Sequence, residues 1–158
     1  NVYANGEMNY TIKGIHARVS VEWKFQAPEG SGDSFYSILR GTKANLVIRQ
    51  RKEQNYKPVL YIEPLNKNNS NEWKQSLDVA LINIHKEYPG IEVKESNKGW
   101  EVVIPDEYKI GHEDHFALVV KKYIEYLRQG KMSEWEIASM LTKYYTTTEA
   151  LEKAMTSK

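Results

Sequence analysis

The chain has 158 residues, 41% hydrophobic and 27% charged, the proportions of one ordinary globular domain. Its 22 Lys and Arg stand against 21 Asp and Glu, so a net charge of +1 gives no electrostatic reason to expect nucleic acid or an acidic membrane surface as partner. There is no cysteine, which excludes disulfides, thiolate chemistry and cysteine zinc sites, and no apolar run reaches the length of about 18 residues that a membrane-spanning helix needs.

The opening residues Val2-Tyr3-Ala4-Asn5-Gly6 read as strand and turn, as the interior of a longer protein would. A strand from Glu7 to Lys13 should pair across Gly14 with a second one from His16 to Gln26. In the second strand Ala17, Val19, Val21, Trp23 and Phe25 alternate with His16, Arg18, Ser20, Glu22 and Lys24. That period of two predicts one face on a core and one on water or a partner.

Ala27-Pro28-Glu29-Gly30-Ser31-Gly32-Asp33 is a loop by its Pro and Gly content. Ser34 to Arg40 and Ala44 to Arg51 then form a hairpin around Gly41-Thr42-Lys43. The strand Lys57 to Leu65 carries Pro58 and Pro64, so it is expected to be short or to lie at an edge. After a polar turn at Asn66 to Ser70, the stripe Trp73, Leu77, Ala80, Leu81 and Ile84 predicts a helix capped by Ser70 or Asn71 and stopped by Pro89-Gly90.

Ile91 to Glu95 and Gly99 to Ile104 predict a second hairpin. Phe116, Val119, Val120, Tyr123, Ile124 and Leu127 form the stripe of a helix ended by Gly130. Ser133-Glu134-Trp135-Glu136 is a capping box for the next helix, and Thr146-Thr147-Thr148-Glu149 predicts a break and restart. Tyr144 and Tyr145 are adjacent, so at least one should be exposed. Strands first and helices mostly last give an α+β single domain over 1–158, with helices on one face of a mainly antiparallel open sheet.

His112 and His115 share a face of a helix start, with Glu113 and Asp114 between them. They are candidates for substrate or interface contact. A metal would need a third protein ligand, so no metal site is expected. His16 and Arg18 on the polar strand face are the other candidates for a pocket or interface. His85 sits near a helix C-terminus, where a cation is mildly favoured. Arg49-Gln50-Arg51-Lys52 reads as a solvated strand end. Gly30-Ser31-Gly32 lacks the continuation of a P-loop, and the dinucleotide fingerprint Gly-x-Gly-x-x-Gly is absent, so this chain is expected to bind no cofactor of its own. No Gly-x-Ser-x-Gly nucleophile elbow is present.

Several stretches together resemble one known family. Val21-Glu22-Trp23-Lys24-Phe25-Gln26-Ala27-Pro28-Glu29-Gly30, Tyr36-Ser37-Ile38-Leu39-Arg40-Gly41-Thr42-Lys43-Ala44 and Tyr61-Ile62-Glu63-Pro64 are similar to the C-terminal domain of Gfo/Idh/MocA-type oxidoreductases. Gly111-His112-Glu113-Asp114-His115-Phe116 and Lys143-Tyr144-Tyr145-Thr146-Thr147-Thr148-Glu149-Ala150-Leu151 resemble the closing helices of a bacterial branch of that family.

The resemblance implies an N-terminal Rossmann domain outside this chain that holds NAD or NADP and carries a Glu-Lys-Pro motif with the catalytic lysine. It also implies an Asp-x-x-x-His type motif, which His112 and His115 do not match, so no catalytic residue is assigned here. The implied role is that of a substrate-binding and oligomerisation domain, inactive alone, for a sugar- or polyol-like substrate in a homo-oligomer. The compartment is left open between bacterial cytoplasm and periplasm. Two rival readings stand beside it: a non-catalytic carbohydrate-binding or assembly module, and an enzyme using a metal held by His112, His115 and nearby carboxylates.

Overall fold

The structure, a computed structural model, describes residues 5–23, 28–66 and 70–156. The segments 1–4 and 24–27, and with them the end of the expected strand at Lys24-Phe25-Gln26, lie outside the described residues. So does most of the polar turn before the first helix. The chain divides into two compact units: Asn1–Gln26 with His112–Lys158, and Ala27–Gly111.

In the first unit, β1 (Gly6–Ile12) pairs antiparallel with β2 (Ile15–Val21). Lys13 (φ 50°) and Gly14 (φ 79°) join them, both left-handed as a two-residue hairpin with right-handed twist demands. The helices are α2 (His112–Gln129) and α3 (Glu134–Thr156). Met8, Tyr10 and Ile12, on the apolar face of the hairpin, border a groove whose other wall is Ala138, Thr142 and Thr146 of α3.

α3 does not break at Thr146-Thr147-Thr148-Glu149. The Thr147 hydroxyl donates to the Lys143 carbonyl at 3.0 Å, and that of Thr148 to Tyr144 at 2.7 Å. The hydroxyls bond backward to the preceding turn instead of capping a new one, which is how threonine is accommodated inside a helix. Ser133-Glu134-Trp135-Glu136 does start its helix. Its Glu136 carboxylate accepts from the Tyr126 hydroxyl at 2.6 Å, and so fastens the start of α3 to the last turns of α2.

In the second unit, five strands form one antiparallel sheet in the order β3 (Phe35–Arg40), β4 (Ala44–Gln50), β5 (Val59–Pro64), β7 (Gly99–Val103), β6 (Glu92–Ser96). β5 is the central strand, not an edge, and it is short, with six residues. Its prolines sit clear of the ladder to β7, which holds only Leu60, Tyr61 and Ile62. Pro58 precedes the strand and Pro64 closes it, so neither removes a needed donor.

α1 (Ser70–Ile84) covers one sheet face, with the Trp73 and Trp100 rings 6.0 Å apart. Ser70, one of the two expected caps, is already helical. The strand register puts Val47 on the opposite face from Trp100, so each face has its own small core: Val47 is 0% exposed and Trp100 7%. Gly99 (φ 145°) lets β7 run so close to β5 that a Cβ there would stand 2.2 Å from the Ile62 carbonyl oxygen. Beyond α1, the Tyr108 hydroxyl donates to the Pro89 carbonyl at 3.0 Å, and its ring packs edge-on against Tyr88.

Candidate functional site

The β1–β2 register sorts the hairpin by chemistry. Paired residues share a face, so Glu7, Asn9 and Thr11 lie with Ser20, Arg18 and His16 on one side, while Met8, Tyr10, Ala17 and Val19 lie on the other. The polar side is laced together. Arg18 donates to the Glu7 carboxylate, Asn9 Nδ2 donates to it at 3.3 Å, and the Thr11 hydroxyl meets His16 Nδ1 at 2.9 Å. The Arg18 hydrogen bond first, and that of Asn9 second, hold the Glu7 carboxyl below its ordinary value of 4.5. Arg18 nevertheless keeps 69% of its side chain exposed, and a guanidinium has five donors, so part of it is free for a ligand or partner.

His112 opens α2 and His115 follows within the first turn, both exposed, with Glu113 and Asp114 suited to the helix dipole. His115 borders a shallow concavity along α2 with Leu118, Lys122 and Glu125. Among the described residues no group of three or more His, Asp or Glu is arranged to hold a metal ion. No hydrogen bond joins the His16–Arg18 pair to the His112–His115 pair among the described residues. His85 donates Nε2–H to the Ile91 carbonyl at 2.6 Å, closing the turn after α1.

A further cluster lies on the sheet face opposite α1, and the sequence reading missed it. Arg49 is not a solvated strand end. It donates to Glu63 at 2.7 Å, with the two side chains only 20% and 18% exposed, and its guanidinium lies 5.1 Å from the centre of the Tyr61 ring. The Tyr61 hydroxyl accepts from Gln54 Nε2 at 3.2 Å, and the Gln54 Oε1 atom is buried with no hydrogen-bond partner among the described residues. Gln54 stands on a short 3-10 turn closed by Asn55 (φ 51°) and Tyr56 (φ 56°), whose amide donates to the Arg51 carbonyl at 2.9 Å. A left-handed tyrosine is strained by roughly 1–2 kcal/mol, so the surroundings must hold the turn in place. Arg51 itself stands over Tyr36, 5.7 Å from the ring centre. The signal available in the sequence was the alternation of β4 and β5, which sets Arg49 and Glu63 on one face once the register is known.

The Gly30-Ser31-Gly32 segment folds as a turn, with the Ser31 amide donating to the Pro28 carbonyl at 3.0 Å, and leads into β3 instead of a helix. No helix N-terminus stands behind it to hold a pyrophosphate.

A family described as "Putative oxidoreductase C terminal domain" matches residues 1–155. The chain belongs to that family. This oxidoreductase C-terminal domain is also similar to a solved structure, the crystal structure of a putative oxidoreductase from Parabacteroides merdae ATCC 43184. The two are 43% identical with a TM-score of 0.93, over 99% of this chain and 36% of that one. The domain therefore spans about a third of the length of that protein. No curated protein matches the sequence.

Proposed function

We propose that this domain is the substrate-binding and oligomerisation half of an NAD(P)-dependent oxidoreductase of the Gfo/Idh/MocA type acting on a sugar- or polyol-like substrate. The observation that carries the reading is the match of residues 1–155 to an oxidoreductase C-terminal domain. A C-terminal domain needs an N-terminal partner, and in this reading that partner is a Rossmann domain holding NAD or NADP. The cofactor supplies the hydride chemistry; this chain supplies orientation and contact.

The polar hairpin face supports the second half of the reading. Vicinal hydroxyls are both donors and acceptors, and they are matched by a surface that offers a guanidinium, an imidazole and hydroxyls side by side. His16 and Arg18 are the residues assigned to that contact or to a subunit interface, with His112 and His115 as secondary candidates. The test is steady-state kinetics of the intact protein with a sugar and polyol panel. Arg18→Ala with His16→Ala should raise KM or change the oligomer mass while the Kd for the nicotinamide cofactor stays the same. Unchanged KM and mass in that variant remove the assignment.

A further inference from the structure

The chain passes between its two compact units twice, after residue 26 and after Gly111, so Ala27–Gly111 is one continuous insert in a unit made from both ends of the chain. Among the described residues, every strand of the insert finds its partners inside it: β3 on β4, β4 on β5, β5 on β7 and β7 on β6. α1 reaches the same sheet through Trp73 and Trp100, and the Arg49–Glu63 pair ties two of its strands. The first unit has bonds of its own: β1 pairs with β2, and Tyr126 of α2 donates to Glu136 of α3. Pro28, Gly30 and Gly32 follow the first crossing and Gly111 precedes the second, the residue types at which separately folding units are usually joined.

We propose that Ala27–Gly111 opens and re-forms as one cooperative unit while β1, β2, α2 and α3 keep their structure. Strand ladders and the helix packed on them are gained or lost together, so the stability of a protein is divided along such boundaries. The insert needs no chain from outside its own span to complete its sheet. Opening it turns it into a long flexible loop of the first unit. The entropy of closing a loop grows so slowly with length that the first unit loses little by this. His16, Arg18, His112 and His115 all lie in the first unit. The candidate contact residues therefore outlast an opening of the insert, whichever function they serve.

The test is amide hydrogen exchange of the intact protein, read by mass spectrometry, with Trp73→Phe as a mild lesion in the insert and Gly99→Ala as a severe one. The expected result for Trp73→Phe is a common rise of about tenfold in the slow exchange of α1 and of β3 to β7, with less than about a twofold change in β1, β2, α2 and α3. Gly99→Ala should give the same pattern with a larger rise. A rise by one factor in both units overturns the proposal, because the two then open together. A rise confined to one or two strands of the insert overturns it as well, because the insert is then not one unit. Trp73→Phe keeps a ring in the site, so its reading decides the matter if the Gly99 variant fails to fold.

Discussion

Arg49 and Glu63 meet at 2.7 Å across β4 and β5, although the register places them four positions out of line. Arg49 faces Val59 and Glu63 faces Asn45, so their bond spans the row that holds Val47 and Tyr61. Val47 in that row is the most completely buried side chain among the described residues. The ion pair thus acts as a polar cover over a very small core, with the Arg49 stem as much a packing element as its charge.

Truncating that cover should be costly. Arg49→Ala is expected to lower unfolding free energy by about 1–3 kcal/mol, because it leaves the Glu63 carboxylate half-buried and unpaired and opens the Val47 site. Glu63→Gln should cost less, since an amide oxygen still accepts from the guanidinium. Denaturant unfolding of both single variants and the double variant checks this, and the double-variant loss should fall short of the sum of the singles.

Two glycines should behave differently on substitution by alanine. Gly99→Ala would place its Cβ 2.2 Å from the Ile62 carbonyl oxygen and 2.7 Å from Pro64 Cδ, so β7 must leave β5, at a cost of about 3 kcal/mol or more. Gly14→Ala meets open space but keeps a left-handed φ of 79°, so only backbone strain of about 1 kcal/mol is expected. Thermal unfolding of the two variants should rank them in that order.

The strands, the three hairpins and the stripes of all three helices were legible in the sequence because each follows a local period. The turn at Gly14 was legible from its glycine between two strand patterns, and its left-handed backbone is a structural finding. What escaped depends on partners distant in sequence. The proline rule could not tell that β5 is central, because β7, from about 40 residues further on, supplies a ladder just short enough to avoid Pro64. The run of threonines at 146–148 carries a capping pattern, and only the preceding helical turn decides that its hydroxyls bond backward. Arg49 looked like a member of a basic run; it differs from its neighbours only through Glu63 and Tyr61 on the next strand. Tyr144 and Tyr145, where at least one exposed ring was expected, are both exposed, at 62% and 77%.

The hairpin should carry a weak acid dependence. The folded-state value of the Glu7 carboxyl is depressed, so its contribution is fully present above the unfolded value near 4.5 and is lost as pH falls through the lowered folded value. NMR titration should find Glu7 below the ordinary carboxylate range, and Arg18→Gln should move it back up, with the smaller Asn9 effect remaining.

Trp73 anchors α1 to the sheet through Trp100. Trp73→Ala is expected to cost about 2–4 kcal/mol, and Trp73→Phe about half of that, since an aromatic ring still fills the site. Near-ultraviolet circular dichroism should lose the paired-indole signal in both variants, while only the alanine variant shows a large shift in unfolding midpoint.

We propose that the intact protein is a nicotinamide-dependent oxidoreductase in which this chain does not itself hold the cofactor. The most direct measurement is calorimetric titration of NADH and NADPH into the intact protein and, in parallel, into residues 1–158. The expected result is saturable binding of one of the two by the intact protein and none by the chain alone. Failure of the intact protein to bind either one, or binding by residues 1–158 alone, would contradict it.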